Sequence, residues 1–390
     1  MGEPFLPYGR QWVDEDDIRA VVDVLRSDWL TTGPVVNQFE QAVADVAGAR
    51  HAVAVSSGTA ALHAAMFAVG VGPGDEVIVP PITFAATANA VVYRGATPIF
   101  ADVDPDTLLI DPEEVARKVT GRTRAVIAVD YAGQPCDYGA LRKIADRCGL
   151  TLVADACHSL GGTCDGRPVG SLADLTVFSF HPVKHITTGE GGMVTTDSDR
   201  LAAQMRLFRN HGITSDHRQR AQHGSWFYEM TELGYNYRLT DIQCALGMSQ
   251  LRKLPQWLIR RREIAAVYRT GLGECPEIRP LKTRSNVDHA YHLFAIKLDL
   301  DKLNTDRSTV FQRLLSQGIG VNVHYVPVHL HRFYRERFGT GPGLCPIAEA
   351  AYERLLTLPL FPAMKDEDVL RVLDACLNVR DFYSSLRSAT

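Results

Sequence analysis

Residues 51–79 read HAVAVSSGTAALHAAMFAVGVGPGDEVIV, and the fold turns on them. His51–Val55 and Glu76–Val79 are short apolar runs of strand length. Between them, Ala60–Ala68 is helical in pattern. Strand, helix and strand in so short a span make a crossover unit with parallel strands. Gly70-Val71-Gly72-Pro73-Gly74 looks like a dinucleotide-binding loop. That motif follows a strand, whereas this run precedes one, so it reads as the turn out of the helix.

The same alternation continues outward. Thr97–Ala101, Ala125–Val129, Thr151–Ala154 and Leu175–Phe180 are further strand-length runs, and Tyr138–Arg147 is helical. The pattern predicts an α/β fold with a mainly parallel, seven-stranded type of sheet between helices. Upstream, Asp14–Leu25 reads as a helix with acids in its first turn and Ile18, Val21, Val22 and Leu25 on one face. Asn210–Tyr237 is rich in His, Gly and aromatic residues, lacks a period, and reads as a long functional loop. A helix over Thr240–Leu272 follows. Then come a strand (Ala290–Leu298), a helix (Ser308–Gln317), a strand (Val321–Tyr325) and two late helices. The expected division is a large domain with an N-terminal arm over 1–255 and a small α+β domain over 256–390.

With 390 residues, 46% hydrophobic, 22% charged and a net charge of -4, the composition is that of a soluble globular protein. It carries no basic footprint for nucleic acid. The eight cysteines form no C-x-x-C pair, which argues against a zinc site or a thioredoxin-like motif and suits a reducing cytoplasm. The start, MGEPFLPYGRQWVDEDD, lacks the pattern of a signal peptide, and no apolar run reaches membrane-span length. His181 with His185, or His324 with His329, lack a third ligand at helical spacing, so no metal is expected.

In an open parallel sheet, ligands bind beyond the C-terminal strand ends. Four such positions stand out. Ser56-Ser57-Gly58-Thr59 follows the first strand and opens a helix, where free N–H groups attract an anion. Ile82-Thr83-Phe84 follows the second and offers an aromatic face. Asp155 ends the run Thr151–Ala154 and can pair with a cationic ring nitrogen. Lys184 follows Leu175–Phe180 in SFHPVKHITTGEGG and can act as a Schiff-base amine. Taken singly, these are a helix cap, a core Phe, a structural carboxylate and a surface lysine. Taken in order, they match the phosphate, ring, pyridine nitrogen and aldehyde of pyridoxal 5'-phosphate (PLP).

The segments LTTGPVVNQFE, SSGTAALHAA, DEVIVPPITFAATANAV, GATPIFADVD, DACHSLGG, SFHPVKHITTGEGG, LGYNYRLTDIQCALG and VNVHYVPVH complete a pattern. Over nearly its whole length the chain resembles the DegT/DnrJ/EryC1/StrS sugar aminotransferases. The resemblance implies a fold type I PLP-dependent transferase. Lys184 would bond to the cofactor and shuttle protons, and Asp155 would bind the pyridine nitrogen. Phe84 would stack on the ring, with His158 near its other side or the ring hydroxyl. Gly58, Thr59 and Ser179 would hold the phosphate. Asn236 would reach the phosphate of a neighbouring subunit, making a homodimer with a shared active site. Thr31, Thr32 and Tyr325 would contact a nucleotide-sugar, and L-glutamate would be the amino donor.

There are departures. SSGT stands where SNGT is usual, and His185 stands where proline is common. Lys184 argues against the family's dehydratase branch, where a histidine replaces the lysine. PYGRQWVDEDDIRAV and the lysine region are most similar to the branch that makes pseudaminic acid, which aminates a UDP-4-keto-6-deoxy sugar. An aminotransferase for another keto-sugar or an amino-cyclitol, or a PLP-binding regulatory protein, are the competing readings.

Overall fold

A computed structural model describes residues 4–215, 220 and 224–388. Part of the expected loop over 210–237, namely 216–219 and 221–223, lies outside the described residues. Nine strands occupy the first half: β1 (His51–Val55), β2 (Glu76–Val79), β3 (Thr97–Phe100), β4 (Thr123–Val129), β5 (Thr151–Asp155), β6 (Thr163–Cys164), β7 (Arg167–Pro168), β8 (Leu175–Ser179) and β9 (Gly192–Thr196). Seven of them form one sheet in the order β1-β9-β8-β5-β4-β2-β3. Every pairing among β2, β3, β4, β5 and β8 is parallel. Only β9 runs against its neighbours β1 and β8. The sequence reading did not pick out β9. It begins in the glycine run and has only Met193 and Val194 as large apolar residues, too few to show a pattern.

Helices cover the sheet: α1 (Glu15–Leu25), α2 (Pro34–Ala47), α3 (Gly58–Val69), α4 (Ala86–Tyr93), α5 (Pro112–Lys118), α6 (Tyr138–Cys148), α7 (Asp199–Phe208) and the long α8 (Asp241–Leu272). α3 is buried along nearly its whole length, which is why its sequence is apolar all round. Gly70 closes it, as the turn reading required. α1 starts at a capping box made by Asp14 and Asp17. Its buried residues are Asp17 and Val24, while Ile18 and Leu25 are exposed, so the expected apolar face is corrected. Asp17 is turned inward because Lys253 (2.9 Å) and Gln250 (2.6 Å) on α8 meet its carboxylate.

A second, antiparallel sheet joins β10 (Ile278–Pro280), β12 (Phe294–Leu298) and β13 (Leu355–Leu358), and β11 (Val287–Asp288) pairs with β6 beside β7. α8 links the two cores. Leu251, Leu254 and Trp257 pack beside the large sheet, and Ile264, Tyr268 and Leu272 pack against the small one. Arg261, fully buried between them, donates to the carbonyls of Tyr291 (3.1 Å) and Leu360 (3.1 Å). The expected strand Val321–Tyr325 is not one: only Asn322 pairs, with Thr357. Asn322 Oδ1 takes the next N–H, that of Val323 (2.8 Å), away from a ladder, and Pro327 has none to give. Among the described residues no helix is long and apolar enough to cross a membrane.

One carboxylate joins two helix starts. Asp241, in the first turn of α8, accepts the N–H groups of Gly33 (2.6 Å) and Val35 (2.9 Å) at the start of α2. A Cβ on Gly33 would lie 2.6 Å from Asp241 Oδ1 and 2.6 Å from Trp29 Cβ, so only glycine fits. Asp241→Ala is expected to lower the unfolding free energy in urea by about 2 kcal/mol. Gly33→Ala is expected to cost about as much by forcing the same atoms apart. Unfolding curves that overlay the unsubstituted protein would show the joint to be unimportant.

Candidate active site

The crossovers leave the C-terminal ends of β1, β5 and β8 on one edge of the sheet. There Gly58, Thr59, Phe84, Asp155, His158, Ser179, Lys184 and Tyr325 line one cavity of about 570 Å³, a size usual for a small-molecule site. Ser57 caps α3 by accepting the N–H of Ala60 (3.1 Å). The N–H groups of Gly58 and Thr59 have no acceptor within the helix, as at any helix start. A Cβ on Gly58 would stand 2.9 Å from Ser179 Cβ, so glycine lets α3 begin against the end of β8. The result is a cradle of backbone N–H groups and hydroxyls with the polarity an anion requires.

Asp155 is buried at the end of β5. Its Oδ2 accepts from Thr87 Oγ1 (2.7 Å), which is hydrogen-bonded to Thr83 Oγ1 (2.7 Å). Its Oδ1 accepts from the N–H of Cys157 (3.3 Å). Thr83 and Thr87 were missed by sequence reasoning, although four-residue spacing at a helix start was a signal that they share a face. Lys184 follows a turn in which its N–H donates to the carbonyl of His181 (2.9 Å). Burial holds its ammonium below the usual lysine range, while Cys157 and Asp155 pull the other way. Burial also pushes the Cys157 thiol well up, so it is a neutral wall group.

Three buried histidines surround the lysine loop. His158 Nε2 meets the Tyr325 hydroxyl (3.2 Å), and its Nδ1 has no partner among the described residues. His292 lies 4.4 Å from His158 and 5.6 Å from His185, centroid to centroid. Burial, with the charge of Lys184 added, keeps His158 and His292 well below the ordinary histidine range. His185, next to the lysine, is lowered chiefly by burial, and its Nε2 lies 3.0 Å from the Ala290 carbonyl. No sequence signal could have brought His292 here, because tertiary packing alone places it. Phe84 is 61% exposed, and among the described residues its one ring neighbour is Tyr325 at 6.2 Å, so its face is open to a ligand.

Thr31, Thr32 and Asn236 do not line this cavity. Thr31 is exposed and bridges to Thr240, while Thr32 lines a second cavity, of about 510 Å³, with Arg209 and Arg238. Thr32 has φ 55°, rare for a β-branched residue. Asn236 is exposed and bridges to Asn210. Tyr235 and Tyr237 stack on each other on either side of it (5.0 Å) and pack on His63 in α3. Among the described residues no group of three or more His, Cys, Asp or Glu is placed to hold a metal.

The cavity fits PLP. The glycine-lined cradle suits a phosphate, the buried Asp155 suits a protonated ring nitrogen, and the unpartnered Nδ1 of His158 leaves a polar atom for a ligand.

Known proteins agree. The chain is 43% identical over 379 residues to the spore coat polysaccharide biosynthesis protein SpsC of Bacillus subtilis, covering 97% of each. Among solved structures it is similar to Spr1654 of Streptococcus pneumoniae, named as a proposed sugar aminotransferase. The PMP form of that protein is 33% identical with a TM-score of 0.91, covering 97% of this chain and 100% of that one. Its PLP form gives a TM-score of 0.90. Helicobacter pylori PseC, an aminotransferase involved in the biosynthesis of pseudoaminic acid, is 32% identical with a TM-score of 0.90, covering 97% and 99%. The model of the DegT/DnrJ/EryC1/StrS aminotransferase family matches residues 11–377. The chain therefore belongs to that family and is a PLP-dependent aminotransferase.

Proposed function

We propose that this enzyme moves an amino group from L-glutamate to a nucleotide-linked 4-keto-6-deoxy sugar, UDP-linked and on the route to pseudaminic acid. The observation that carries the chemistry is the pair Lys184 and Asp155, the lysine half-buried and the carboxylate buried, in one cavity at the ends of the neighbouring strands β8 and β5. The likeness to PseC supports the narrower substrate. The higher identity to SpsC favours a second reading, a keto-sugar destined for a surface polysaccharide.

When bound, PLP supplies an electron sink for the carbon that gives up its proton. The chain's own residues do the rest. Gly58, Thr59 and Ser179 hold the phosphate, Phe84 covers one ring face, and His158 sits by the other face or the ring hydroxyl. Thr87 and the Cys157 N–H hold the Asp155 carboxylate in place, ready to pair with a protonated ring nitrogen. Lys184 Nζ takes a proton from the donor's α-carbon and later delivers one to the acceptor's former carbonyl carbon. Its lowered proton affinity supports that exchange, because a base works best with its pKa near the working pH. Thr31, Thr32 and Tyr325 contact the nucleotide-sugar. Asn236 faces outward and serves the phosphate site of a second copy, so the working unit is a homodimer.

Lys184→Ala should cut glutamate-dependent 2-oxoglutarate formation by about 10³-fold or more. Mixing Lys184→Ala with Asn236→Ala chains should restore part of the activity, because one site of each mixed dimer keeps both groups. No recovery would remove the shared site. Thr87→Val is expected to weaken PLP binding by about tenfold in a fluorescence titration. An unchanged affinity would show that Asp155 needs no such support. Mass spectrometry of products from UDP-, dTDP- and GDP-keto-sugars and from keto-cyclitols decides the acceptor.

A further inference from the structure

Part of the cavity wall comes from an element that the roles above leave unused, the N-terminal arm. Leu6 pairs with the 318–320 strip through Leu6 N–H to the Gly318 carbonyl (2.9 Å) and Gly320 N–H to the Leu6 carbonyl (2.7 Å). The Leu360 N–H then donates to the Tyr8 carbonyl (3.1 Å), and Gln250 Nε2 donates to the Trp12 carbonyl (2.9 Å). The backbone is thus pinned at Tyr8 and on both sides of it. Between those anchors Tyr8 lines the same cavity as Lys184.

The Tyr8 ring lies 5.2 Å from that of His324, tilted by 55°. The state of His324 follows from its neighbours. Asn322 Oδ1 accepts the Val323 N–H (2.8 Å), so the amide presents its Nδ2 to His324 Nε2 (3.3 Å). Nε2 is therefore the acceptor, and Nδ1 carries the proton and donates to Thr357 Oγ1 (2.9 Å). Burial, with Lys184 nearby, pushes the imidazole down to about 4, so it stays neutral. Both of its nitrogens are occupied, and it offers the cavity a ring face. Tyr325 spends its hydroxyl on His158. The Tyr8 hydroxyl, by contrast, forms no hydrogen bond to any described residue.

This wall is two aromatic faces, an uncharged imidazole and one uncommitted hydroxyl. A dicarboxylate donor calls for cations, and this wall supplies none. An uncharged ring bearing hydroxyls fits it, with C–H groups on the aromatic faces and one hydrogen bond to the phenol. We infer that Tyr8 reads a ring hydroxyl of the sugar acceptor and acts in the half-reaction that aminates it, not in the one that deaminates glutamate. The inference rests on the keto-sugar reading given above.

The two half-reactions can be timed separately by the cofactor's visible absorbance in single turnovers of the PLP-loaded and PMP-loaded enzyme. Tyr8→Phe is expected to leave the glutamate half-reaction within about twofold and to lower the acceptor half-reaction by about tenfold, mainly by weakening acceptor binding. The thermal midpoint should not change. An equal loss in both half-reactions, no loss in either, or a lowered midpoint would overturn the inference. If the unsubstituted enzyme reacts with glutamate but with no keto-sugar, the substrate reading fails and takes this one with it. Normal turnover by both proteins removes only the role of Tyr8.

Discussion

A carboxylate taken out of water must be met by donors, and this structure repeatedly uses that demand to hold its parts together. Asp155 draws a hydroxyl from α4 and a backbone N–H from the turn after β5. Asp130, at the end of β4, accepts the Cys136 N–H (2.9 Å) and the hydroxyls of Tyr138 (2.7 Å) and Ser159 (2.6 Å). Burial pushes Asp130 up to about 6 despite those donors. Ser159 directly follows His158, so the same carboxylate steadies the histidine in the cavity. Asp102 accepts the N–H groups of Ile347 (2.8 Å) and Ala348 (3.0 Å), fastening a helix of the second half to the end of β3. With Asp241, which reaches the start of α2 from the first turn of α8, four acids far apart in sequence tie loops and helix starts to the frame.

The parts of the site legible in the sequence are those that a strand delivers directly. Asp155 and Lys184 each follow an apolar run, and Ser57-Gly58 stands between a run and a helix, so local pattern and sheet topology locate them together. The parts not legible come from elsewhere in the chain. Thr83 and Thr87 matter only because α4 lies beside β5, His292 arrives from beyond α8, and Tyr8 comes from the arm. Nothing in a single sequence joins positions so far apart. Two element readings failed for the same reason. The α1 face follows Lys253 and Gln250 on α8, which turn Asp17 inward, and the strand expected at Val321–Tyr325 yields to an Asn322 side chain that takes its neighbour's N–H.

The cavity also shows how one chain can serve two unlike substrates. Polar groups that would hold the cofactor cluster at the strand ends, where backbone geometry is rigid. Other lining residues, which would read a substrate on the proposal made above, stand on the arm and on the irregular strip over 322–325, outside the sheet. Changes there alter the wall without moving Asp155 or Lys184, which suits a fold that keeps its chemistry while its acceptors differ.

His185 gives the assembly an order in time. The seven-stranded sheet is complete once Thr196 has been made. The lysine loop, however, is fastened through His185 to the carbonyl of Ala290, and His292, His324 and Tyr325 come later still. A nascent chain therefore holds every strand of its frame before α8 arrives to cover one face of it, and before the pocket has a floor. The place for the vitamin is thus complete only in the last third of translation.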